Sequence, residues 1–458
     1  MDSFRTPRIV ISAPHRSSGK TTLSIGLCAV LTMAGYNVQP FKKGPDYIDP
    51  MWLTDASERN CCNLDLFMME EARIKEAFHS ESQGAFLSLI EGNMGLYDGV
   101  DLDGKGSTSH LARLLTSPVI LIIDASRMTR GIAALLLGYL QFEPDIVIAG
   151  VILNKVSGLR HETKLKEAID HYCGIEVLGA LPHLSGIEIK QRHLGLIPTR
   201  EEGRVPDLIA SIGSKVAEYV NLERIVEIAG SAPPLPIYHK ADRKNQPPSV
   251  RLGVAKDAAF TFYYHQNLVA LRGAGAELVP FDTLKDSHLP EVNGLYLGGG
   301  FPEVFMSELE KNEGLRKDIR TAIDNGMPVY AECGGLMYLS RSIRWGSRTR
   351  EMVGVIPADI IIREKPKGHG YVILKRQGLN RWSHLDRIRG HEFHYSEVVN
   401  LGKVDFAYEV VRGQGVDGRY DGIIHKNVLA AYTHLHSLGV PQWADDFVSL
   451  VKDVGFGK

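Results

Sequence analysis

The fold of the N-terminal half of the chain is decided by the stretch Ala13-Pro14-His15-Arg16-Ser17-Ser18-Gly19-Lys20-Thr21-Thr22. It lies between a β-branched run, Arg8–Ser12, and an apolar segment with helical spacing, Thr21–Met33. A strand, a loop and a helix in this order can surround the phosphates of a nucleoside triphosphate, because the loop N–H groups and the helix N-terminus attract anions. The sequence therefore predicts a phosphate-binding loop at the carboxyl end of a strand.

This loop has a lysine and hydroxyls where phosphate chemistry needs them. Lys20 would reach the terminal phosphates, and the Thr21 hydroxyl would bind Mg²⁺. The residues expected to contact phosphate are Ser17, Ser18, Gly19, Lys20, Thr21 and Thr22. Ala13 stands where the usual pattern has its first glycine, so the motif is a variant. An ordinary strand-to-helix turn with a surface lysine is the alternative interpretation.

The composition is that of a globular protein with several domains. With 458 residues, the chain is long enough for two or three domains. Hydrophobic residues make up 44% and charged residues 23%, which excludes long disorder and a coiled coil. The formal net charge of −2 provides no strong field toward nucleic acid or an anionic membrane. We therefore expect small-molecule partners, with neither nucleic acid nor membrane among them.

The cysteines indicate a reducing compartment. There are five of them, at spacings typical of neither a zinc site nor a disulfide framework. The first residues show no basic and apolar targeting signal. We expect an unprocessed, soluble, cytoplasmic protein, and whether it forms a homodimer is left open.

Short apolar runs alternate with helical segments along most of the chain, which favours parallel sheets built from βαβ units. The predicted strands are Arg8–Ser12, Asn37–Phe41, Phe86–Ile90, Pro118–Asp124, Ile146–Asn154, Arg251–Ala255, Glu277–Phe281, Gly294–Leu297 and Pro328–Ala331. Residues 230–249 are rich in proline, which lacks a backbone donor, so we interpret them as a linker. The predicted architecture is α/β: a doubly wound, parallel-sheet domain with a phosphate loop in residues 1–229, and a second α/β domain in residues 250–458.

Charged side chains follow two further predicted strands. Lys42 and Asp46 come after the second strand, and Glu91 ends the third. Because ligands in open α/β sheets collect outside the carboxyl ends of strands, we expect these side chains near the phosphate loop. Asp46 and Glu91 are then candidate Mg²⁺ ligands beside Thr21, and Lys42 could hold phosphate or an anionic substrate. Turn chemistry is the alternative for the aspartate. Asn154, which ends another strand, could read the adenine edge.

A cysteine stands between a predicted strand and a predicted helix, in Ala331-Glu332-Cys333-Gly334-Gly335. We expect a thiol at such a turn to be exposed at a helix N-terminus, which lowers its pKa. Cys333 is therefore a candidate nucleophile, with His434 as its base. The backbone groups that could hold an oxyanion are those of Gly299, Gly300 and Gly334. A buried core cysteine is the alternative.

Seven motifs stand out when both halves are considered together. They are Ser17–Thr22, Lys43-Gly44-Pro45-Asp46-Tyr47-Ile48-Asp49-Pro50, Glu91–Gly99, Tyr296–Glu303, Ala331–Gly335, Gly390–Ser396 and His434-Leu435-His436. With these motifs the chain resembles, over nearly its whole length, the glutamine-dependent cobyrinic acid a,c-diamide synthases of corrinoid biosynthesis. The segment around Asp46 and Asp49 distinguishes this family from the similar cobyric acid synthases.

The resemblance implies a carbon–nitrogen ligase with a phosphate-loop amidoligase domain and a class I glutamine amidotransferase domain. Such an enzyme amidates the a- and c-acetate side chains of a tetrapyrrole acid through acyl phosphates, using ATP, Mg²⁺ and ammonia from L-glutamine. By matched motif, Lys20 and Thr21 would bind phosphate and metal, while Asp46 and Glu91 would serve Mg²⁺ or the acyl phosphate.

The resemblance also assigns roles in the second half of the chain. Cys333 would form the glutamyl thioester, and His434 would activate its thiol. It implies no third catalytic residue.

Two departures leave the macrocycle open. Met51-Trp52-Leu53 and Cys61-Cys62 stand where family members more often carry other residues, close to a predicted active-site loop. Sirohaem-type rings and nickel sirohydrochlorin are therefore alternative acceptors for the same chemistry. An ATPase switch of the ParA/MinD kind is an alternative from another class, which shares the nucleotide-binding fold but lacks the glutaminase half.

Overall fold

The structure is a computed structural model that describes residues 3–184, 189–192, 195–238, 246–378, 381–382 and 385–455. The chain divides into two compact units, Met1–Lys240 and Ala241–Lys458. Among the described helices, none combines the length and the apolar character that a membrane crossing requires.

The first unit alternates strands and helices. Its strands are β1 (Ser3–Phe4), β2 (Arg8–Ser12), β3 (Val38–Lys43), β4 (Cys62–Leu64), β5 (Leu87–Glu91), β6 (Val119–Asp124), β7 (Ile148–Val156), β8 (Val177–Pro182), β9 (Gln191–Arg192), β10 (Gly195–Leu196) and β11 (Leu235–Pro236). Its helices are α1 (Lys20–Met33), α2 (Ile48–Ser57), α3 (Glu71–Glu81), α4 (Thr108–Leu114), α5 (Gly131–Phe142), α6 (Leu159–Cys173), α7 (Val205–Tyr219) and α8 (Leu222–Gly230), with a 3₁₀ turn at Thr199–Glu201.

Seven strands of this unit form a parallel sheet in the order β4-β3-β5-β2-β6-β7-β8. Strands β2, β3 and β5 are buried along their whole length, as expected for a parallel sheet covered on both faces. Because β5 lies between β3 and β2, the carboxyl ends of these three strands are neighbours. The loops that follow them therefore share one edge of the sheet, where ligands of open α/β sheets bind.

The second unit combines parallel and antiparallel pairing. Its strands are β12 (Val250–Ala255), β13 (Ala276–Phe281), β14 (Gly294–Leu297), β15 (Val329–Glu332), β16 (Ser340–Trp345), β17 (Arg348–Glu351), β18 (Ile356–Ile362), β19 (Gly368–Arg376), β20 (Arg387–His394), β21 (Ser396–Val399), β22 (Asp405–Arg412), β23 (Tyr420–His425) and β24 (Val428–Ala431). Its helices are α9 (His265–Gly273), α10 (Met306–Lys311), α11 (Glu313–Asp324), α12 (Gly334–Leu339) and α13 (Trp443–Gly455).

The main sheet of this unit has nine strands in the order β13-β12-β14-β15-β24-β23-β22-β19-β20. The first five are parallel and the remainder pair antiparallel. Alternate residues of β15 belong to different apolar clusters: Ala331 packs in one with Leu336, and Tyr330 in the other with Trp443. The sheet thus has a core on each face, and β14, β15 and β24 end side by side at its centre.

The strands predicted from the sequence are confirmed to within a few residues. The run predicted at 146–154, for example, is β7 at Ile148–Val156. Part of the predicted linker, 230–249, is ordered against the first unit, since β11 pairs with β1 and Leu235 is buried. The proline argument still applies, because this ladder has two strands and lies outside the main sheet.

The contact between α1 and α7 generates a stability prediction. A Cβ added at Gly26 of α1 would overlap with the Cγ2 atom of Val216 in α7. We expect Gly26→Ala to destabilise the protein by about 1–3 kcal/mol, because the two helices must move apart. Gly138→Ala in α5 is the matched control, since nothing lies within 4 Å of its added Cβ. It should stabilise the protein by about 0.5–1 kcal/mol. Thermal unfolding followed by circular dichroism checks both, and equal midpoints would contradict the packing argument.

Candidate active sites

The phosphate loop is closed against the strand β7. Helix α1 begins at Lys20, directly after Gly19, which has φ = +104°. A Cβ at Gly19 would overlap with Nδ2 of Asn154. That amide donates a hydrogen bond to the carbonyl of Ser18 at 2.9 Å. Glycine is therefore needed at position 19 for both its backbone angle and the close approach. The amide nitrogen of Asn154 holds the loop, and its contact with adenine stays a prediction.

The hydroxyl residues of the loop have different environments. Ser17 has a left-handed backbone with φ = +59°. The hydroxyl of Ser18 is buried and donates to the carbonyl of His15 at 3.0 Å. Thr22 lies half-buried in the first turn of α1. The hydroxyl of Ser18 therefore stabilises the loop itself.

Lys20 is almost completely buried. Its Nζ donates to the carbonyls of Met94 at 2.6 Å and His15 at 3.1 Å. Burial, and after it the positive charge of Lys42, lower the pKa of Lys20 to about 8. Its hydrogen-bond partners are neutral carbonyls, so no carboxylate contacts the ammonium directly in these two bonds. This arrangement suits a polyphosphate.

The side chains of Lys42, Asp46, Asp49, Glu91 and Thr21 meet beside the loop, and we call them the Lys42 cluster. Lys42 and Glu91 are register partners on β3 and β5. Nζ of Lys42 donates to Asp49 at 2.6 Å and to Glu91 at 2.7 Å. The Thr21 hydroxyl donates to Glu91 at 2.7 Å and to Asp49 at 3.2 Å. Asp46 lies 3.8 Å from the same ammonium, and its other oxygen accepts backbone N–H groups at the start of α2.

Burial and charge act against each other in this cluster. Although burial alone would lower it, the carboxylates of Asp49 and Glu91 raise the pKa of Lys42 well above its ordinary value. Burial, followed by the charge of Asp49, raises the pKa of Asp46 to about 7. Burial also raises the pKa of Glu91, whereas the Lys42 ammonium outweighs burial and lowers that of Asp49. The cluster therefore depends on compensation by Lys42.

The Lys42 cluster has a donor set that fits Mg²⁺. Oε2 of Glu91 is buried without a hydrogen-bond partner, and carboxylate and hydroxyl oxygens are ligands that Mg²⁺ prefers. In the described part of the chain, no group of three or more His, Cys, Asp or Glu residues forms a ready metal cage.

Asp49 is a member of this cluster that the sequence analysis did not single out. It lies in the first turn of α2, three residues after Asp46. The signal was present in the spacing, because residues three apart at a helix start can face the same neighbour. Asp46 both accepts backbone N–H groups at a turn and lies near Lys42. Its interpretation as a turn residue and its interpretation as a candidate Mg²⁺ ligand are therefore compatible.

Cys333 lies at a sharp turn between β15 and α12. Its backbone has φ = +47° and ψ = −95°, a conformation that costs free energy for a residue with a side chain. Its N–H donates to the carbonyl of Ala431 at 2.7 Å, which ties the turn to the end of β24. The predicted strand, turn and helix are confirmed, and strain at such a position is common in nucleophile elbows.

The expectation of an exposed thiol with a lowered pKa is wrong. Cys333 is only 5% exposed, and burial, followed by the charges of Glu303 and Glu332, raises its pKa. Desolvation disfavours the thiolate more than the N-terminus of a helix with six residues favours it. The thiol is therefore protonated at rest and needs a base.

The three predicted oxyanion glycines lie together around this turn. A Cβ at Gly299 would be 2.6 Å from Cε1 of His434. A Cβ at Gly334 would be 3.0 Å from the backbone nitrogen of Gly300. Side chains are thus excluded on both sides of Cys333, which leaves backbone N–H groups free to approach a ligand. Their role as an oxyanion hole stays a prediction.

His434 is held by a residue that the sequence analysis did not identify. Its Nδ1 lies 3.2 Å from Oε2 of Glu332, the residue before Cys333. Its backbone exchanges two hydrogen bonds with His391, and the two imidazole rings stack with centroids 5.0 Å apart. The available sequence signal for Glu332 was its position at the end of β15. Consecutive side chains of a strand lie on opposite faces of the sheet, so a polar residue there faces other neighbours than the residue before it.

Comparison with known proteins gives a family match for each half of the chain. Residues 9–197 match the family described as a CobQ/CobB/MinD/ParA nucleotide binding domain, and residues 251–441 match the CobB/CobQ-like glutamine amidotransferase domain. A cobyrinate a,c-diamide synthase of Magnetococcus marinus is 45% identical over 96% of both chains. The chain belongs to the cobyrinate a,c-diamide synthase family.

Two archaeal members of the cobyrinate a,c-diamide synthase family are similar over the same length. The one from Archaeoglobus fulgidus is 42% identical over 96% of this chain and 97% of its own. The one from Methanosarcina acetivorans is 41% identical over 96% and 95%. Because these matches include the glutamine amidotransferase domain, the alternative of an ATPase switch is rejected.

The close packing of Gly299 generates a prediction. We expect Gly299→Ala to displace the His434 imidazole, because the added Cβ would be 2.6 Å from Cε1. A displacement of about 1 Å can reduce a rate about 100-fold, so glutamine hydrolysis should fall by that order. Gly455→Ala is the control, since nothing lies within 4 Å of its Cβ. Glutamate release is the measurement, and wild-type release by the Gly299 variant would refute the packing argument.

Proposed function

We propose that this chain converts cobyrinate to its a,c-diamide, with ATP as the activating substrate and glutamine as the nitrogen donor. One observation carries the proposal. The same chain holds a buried lysine at a phosphate loop beside an acidic cluster, and a strained cysteine turn whose preceding residue, Glu332, contacts a histidine. Its full-length relatives are cobyrinate a,c-diamide synthases. Sirohaem-type and nickel-containing rings are the alternative acceptors.

The first unit would activate the acceptor carboxylate. An acetate oxygen attacks the γ-phosphorus of ATP, ADP leaves, and an acyl phosphate forms; ammonia then displaces phosphate to give the amide. Lys20 would neutralise the phosphate charge that develops during transfer. Mg²⁺, bound by Thr21 and the carboxylates of the Lys42 cluster, would neutralise phosphate oxygens as well. Lys42 would keep the carboxylate of Asp49 ionised, since its ammonium outweighs burial there.

The second unit would release ammonia from glutamine. Because burial raises the pKa of Cys333, its proton must pass to a base as sulfur attacks the amide carbon. His434 would accept that proton and donate it to the leaving ammonia. Backbone N–H groups of Gly300 and Gly334 would bind the oxyanion. Water then cleaves the glutamyl thioester to glutamate and restores the thiol.

The state of the cysteines supports a reducing compartment. None of the five cysteines forms a disulfide, and a reducing environment keeps thiols in this state. We therefore place the enzyme in the cytoplasm, where ATP and glutamine are available.

Purified protein tests the proposal directly. With cobyrinate, glutamine, ATP and Mg²⁺, we expect mono- and diamide products by mass spectrometry, together with glutamate, ADP and phosphate. Sirohydrochlorin, with and without nickel, serves as the competing acceptor. Turnover of those rings without any turnover of cobyrinate would overturn the assignment of the acceptor.

Two substitutions separate the half-reactions. Cys333→Ala should abolish amidation from glutamine and retain it with an ammonium salt, because only the nitrogen source is lost. Lys20→Ala should abolish amidation from either source, because activation of the acceptor is lost. Cys173→Ala and Lys164→Ala, which remove a thiol and a lysine from α6, are the controls. Failure of ammonium to rescue Cys333→Ala would contradict this division of labour.

A further inference from the structure

A buried carboxylate lies behind the proposed catalytic histidine. Glu332 has no exposed surface. Its Oε2 lies 3.2 Å from Nδ1 of His434 and 3.3 Å from the hydroxyl of Tyr296, which donates to it. Its Oε1 accepts the backbone N–H of Leu435 at 3.3 Å. The carboxylate is therefore held from strand β14 and from the segment after β24, and it contacts the imidazole directly.

The strand order explains this placement. β15 and β24 are parallel neighbours in which Glu332 and Ala431 are register partners. Consecutive side chains of an extended strand face opposite sides, so Glu332 points away from the face on which Ala331 packs in the same apolar cluster as Cys333. The end of β24 contacts Cys333 through the carbonyl of Ala431. The segment that follows contacts Glu332 through His434 and Leu435. One dipeptide thus supplies the nucleophile on one side of the sheet and a carboxylate on the other.

Several other ionisable groups near the imidazole are neutral. Burial lowers the pKa of His436 to about 3 and that of His391 well below its ordinary value, so both are neutral near pH 7. Burial raises the pKa of Tyr296 and of Tyr330, so these phenols are neutral donors. Glu303 and Glu392 act electrostatically on Cys333. Among these groups, Glu332 is the carboxyl group that contacts the imidazole.

We propose that Glu332 is the positioning acid of the glutaminase site and completes a Cys333–His434–Glu332 triad. This inference rests on the proposed function. Accepting Nδ1–H from His434 fixes the tautomer in which Nε2 carries the free lone pair. As Cys333 attacks, its proton moves to Nε2, and the carboxylate stabilises the imidazolium until that proton passes to ammonia.

Glu332 also acts on the nucleophile itself, in the direction that slows the reaction. It raises the pKa of Cys333 and so disfavours the thiolate by itself. Any acceleration by Glu332 must therefore act through His434. A residue of merely structural importance would change stability without changing how the rate depends on protonation.

The test compares three variants of the full-length enzyme. Glu332→Gln keeps the shape and removes the charge; we expect kcat for glutamine hydrolysis to fall about 100-fold with KM within about twofold. In the pH profile of kcat/KM, the acid limb of the Glu332→Gln variant should move to lower pH. An amide stabilises the imidazolium of His434 less than a carboxylate does, so the neutral imidazole persists in more acidic solution. Glu332→Asp should recover part of kcat.

Asp421→Asn is the matched control. Asp421 is a buried carboxylate that accepts the backbone N–H groups of Tyr432 and Thr433, just before His434. Its variant should melt at a lower temperature and retain the wild-type acid limb. The inference is overturned if Glu332→Gln keeps wild-type kcat and acid limb, or if the Asp421 and Glu332 variants lose rate to the same extent with unchanged profiles.

Two further measurements separate this inference from the proposed function. Ammonium-dependent amidation by Glu332→Gln should equal that of the wild type, which shows that the first unit is intact. Wild-type enzyme assayed in parallel reports on the proposed function itself. If the wild type releases no glutamate, the proposed function fails; if only the comparison of variants fails, Glu332 loses its role.

Discussion

Backbone register between neighbouring parallel strands is the constraint on which both sites depend. Parallel strands start far apart in the chain, yet their carboxyl ends lie side by side. In the first unit this register pairs Lys42 with Glu91 and places both beside the loop after β2. In the second unit it pairs Glu332 with Ala431, which brings the cysteine turn to the segment that carries His434. Each strand end carries only one or two reactive side chains. They form a site because the register places the ends of neighbouring strands next to one another.

Burial of charge is the cost of this arrangement, and each unit meets it in a different way. In the Lys42 cluster, one ammonium compensates several carboxylates, so the removal of Lys42 would leave buried carboxylates without a counter-charge, at a cost of about 3–5 kcal/mol. Around His434 the neighbouring imidazoles are kept neutral by desolvation, and one carboxylate accepts neutral donors from tyrosine and backbone. Low exposure therefore strengthens the interactions of the groups that remain charged.

The sequence permitted the prediction of nine strands, all in the parallel parts of the two main sheets, and of the principal chemical groups. The antiparallel strands of the second unit were not predicted. The phosphate loop, Asp46, Glu91, Cys333 and the three glycines were all recognisable, because each lies within a short motif whose geometry is local. Asp49 and Glu332 lay inside the same motifs and were not assigned a role. Their function depends on which neighbour they contact, and a motif does not specify its neighbours. The exposure of Cys333 was predicted wrongly for a related reason: the turn is local, but its burial is produced by the packing of the whole sheet.

The amino-acid sequence by itself determined the α/β class, the order of the elements and the residue types available at each strand end. Hydrophobic periodicity, glycine placement and helix starts are properties of a few consecutive residues, so they are present in the chain before it folds. The tertiary structure alone decided which carboxylate faces Lys42, that Glu332 lies behind His434, and that the thiol is protonated at rest. These properties depend on distances between segments tens or hundreds of residues apart and on the exclusion of water, and both arise only when the strands pair.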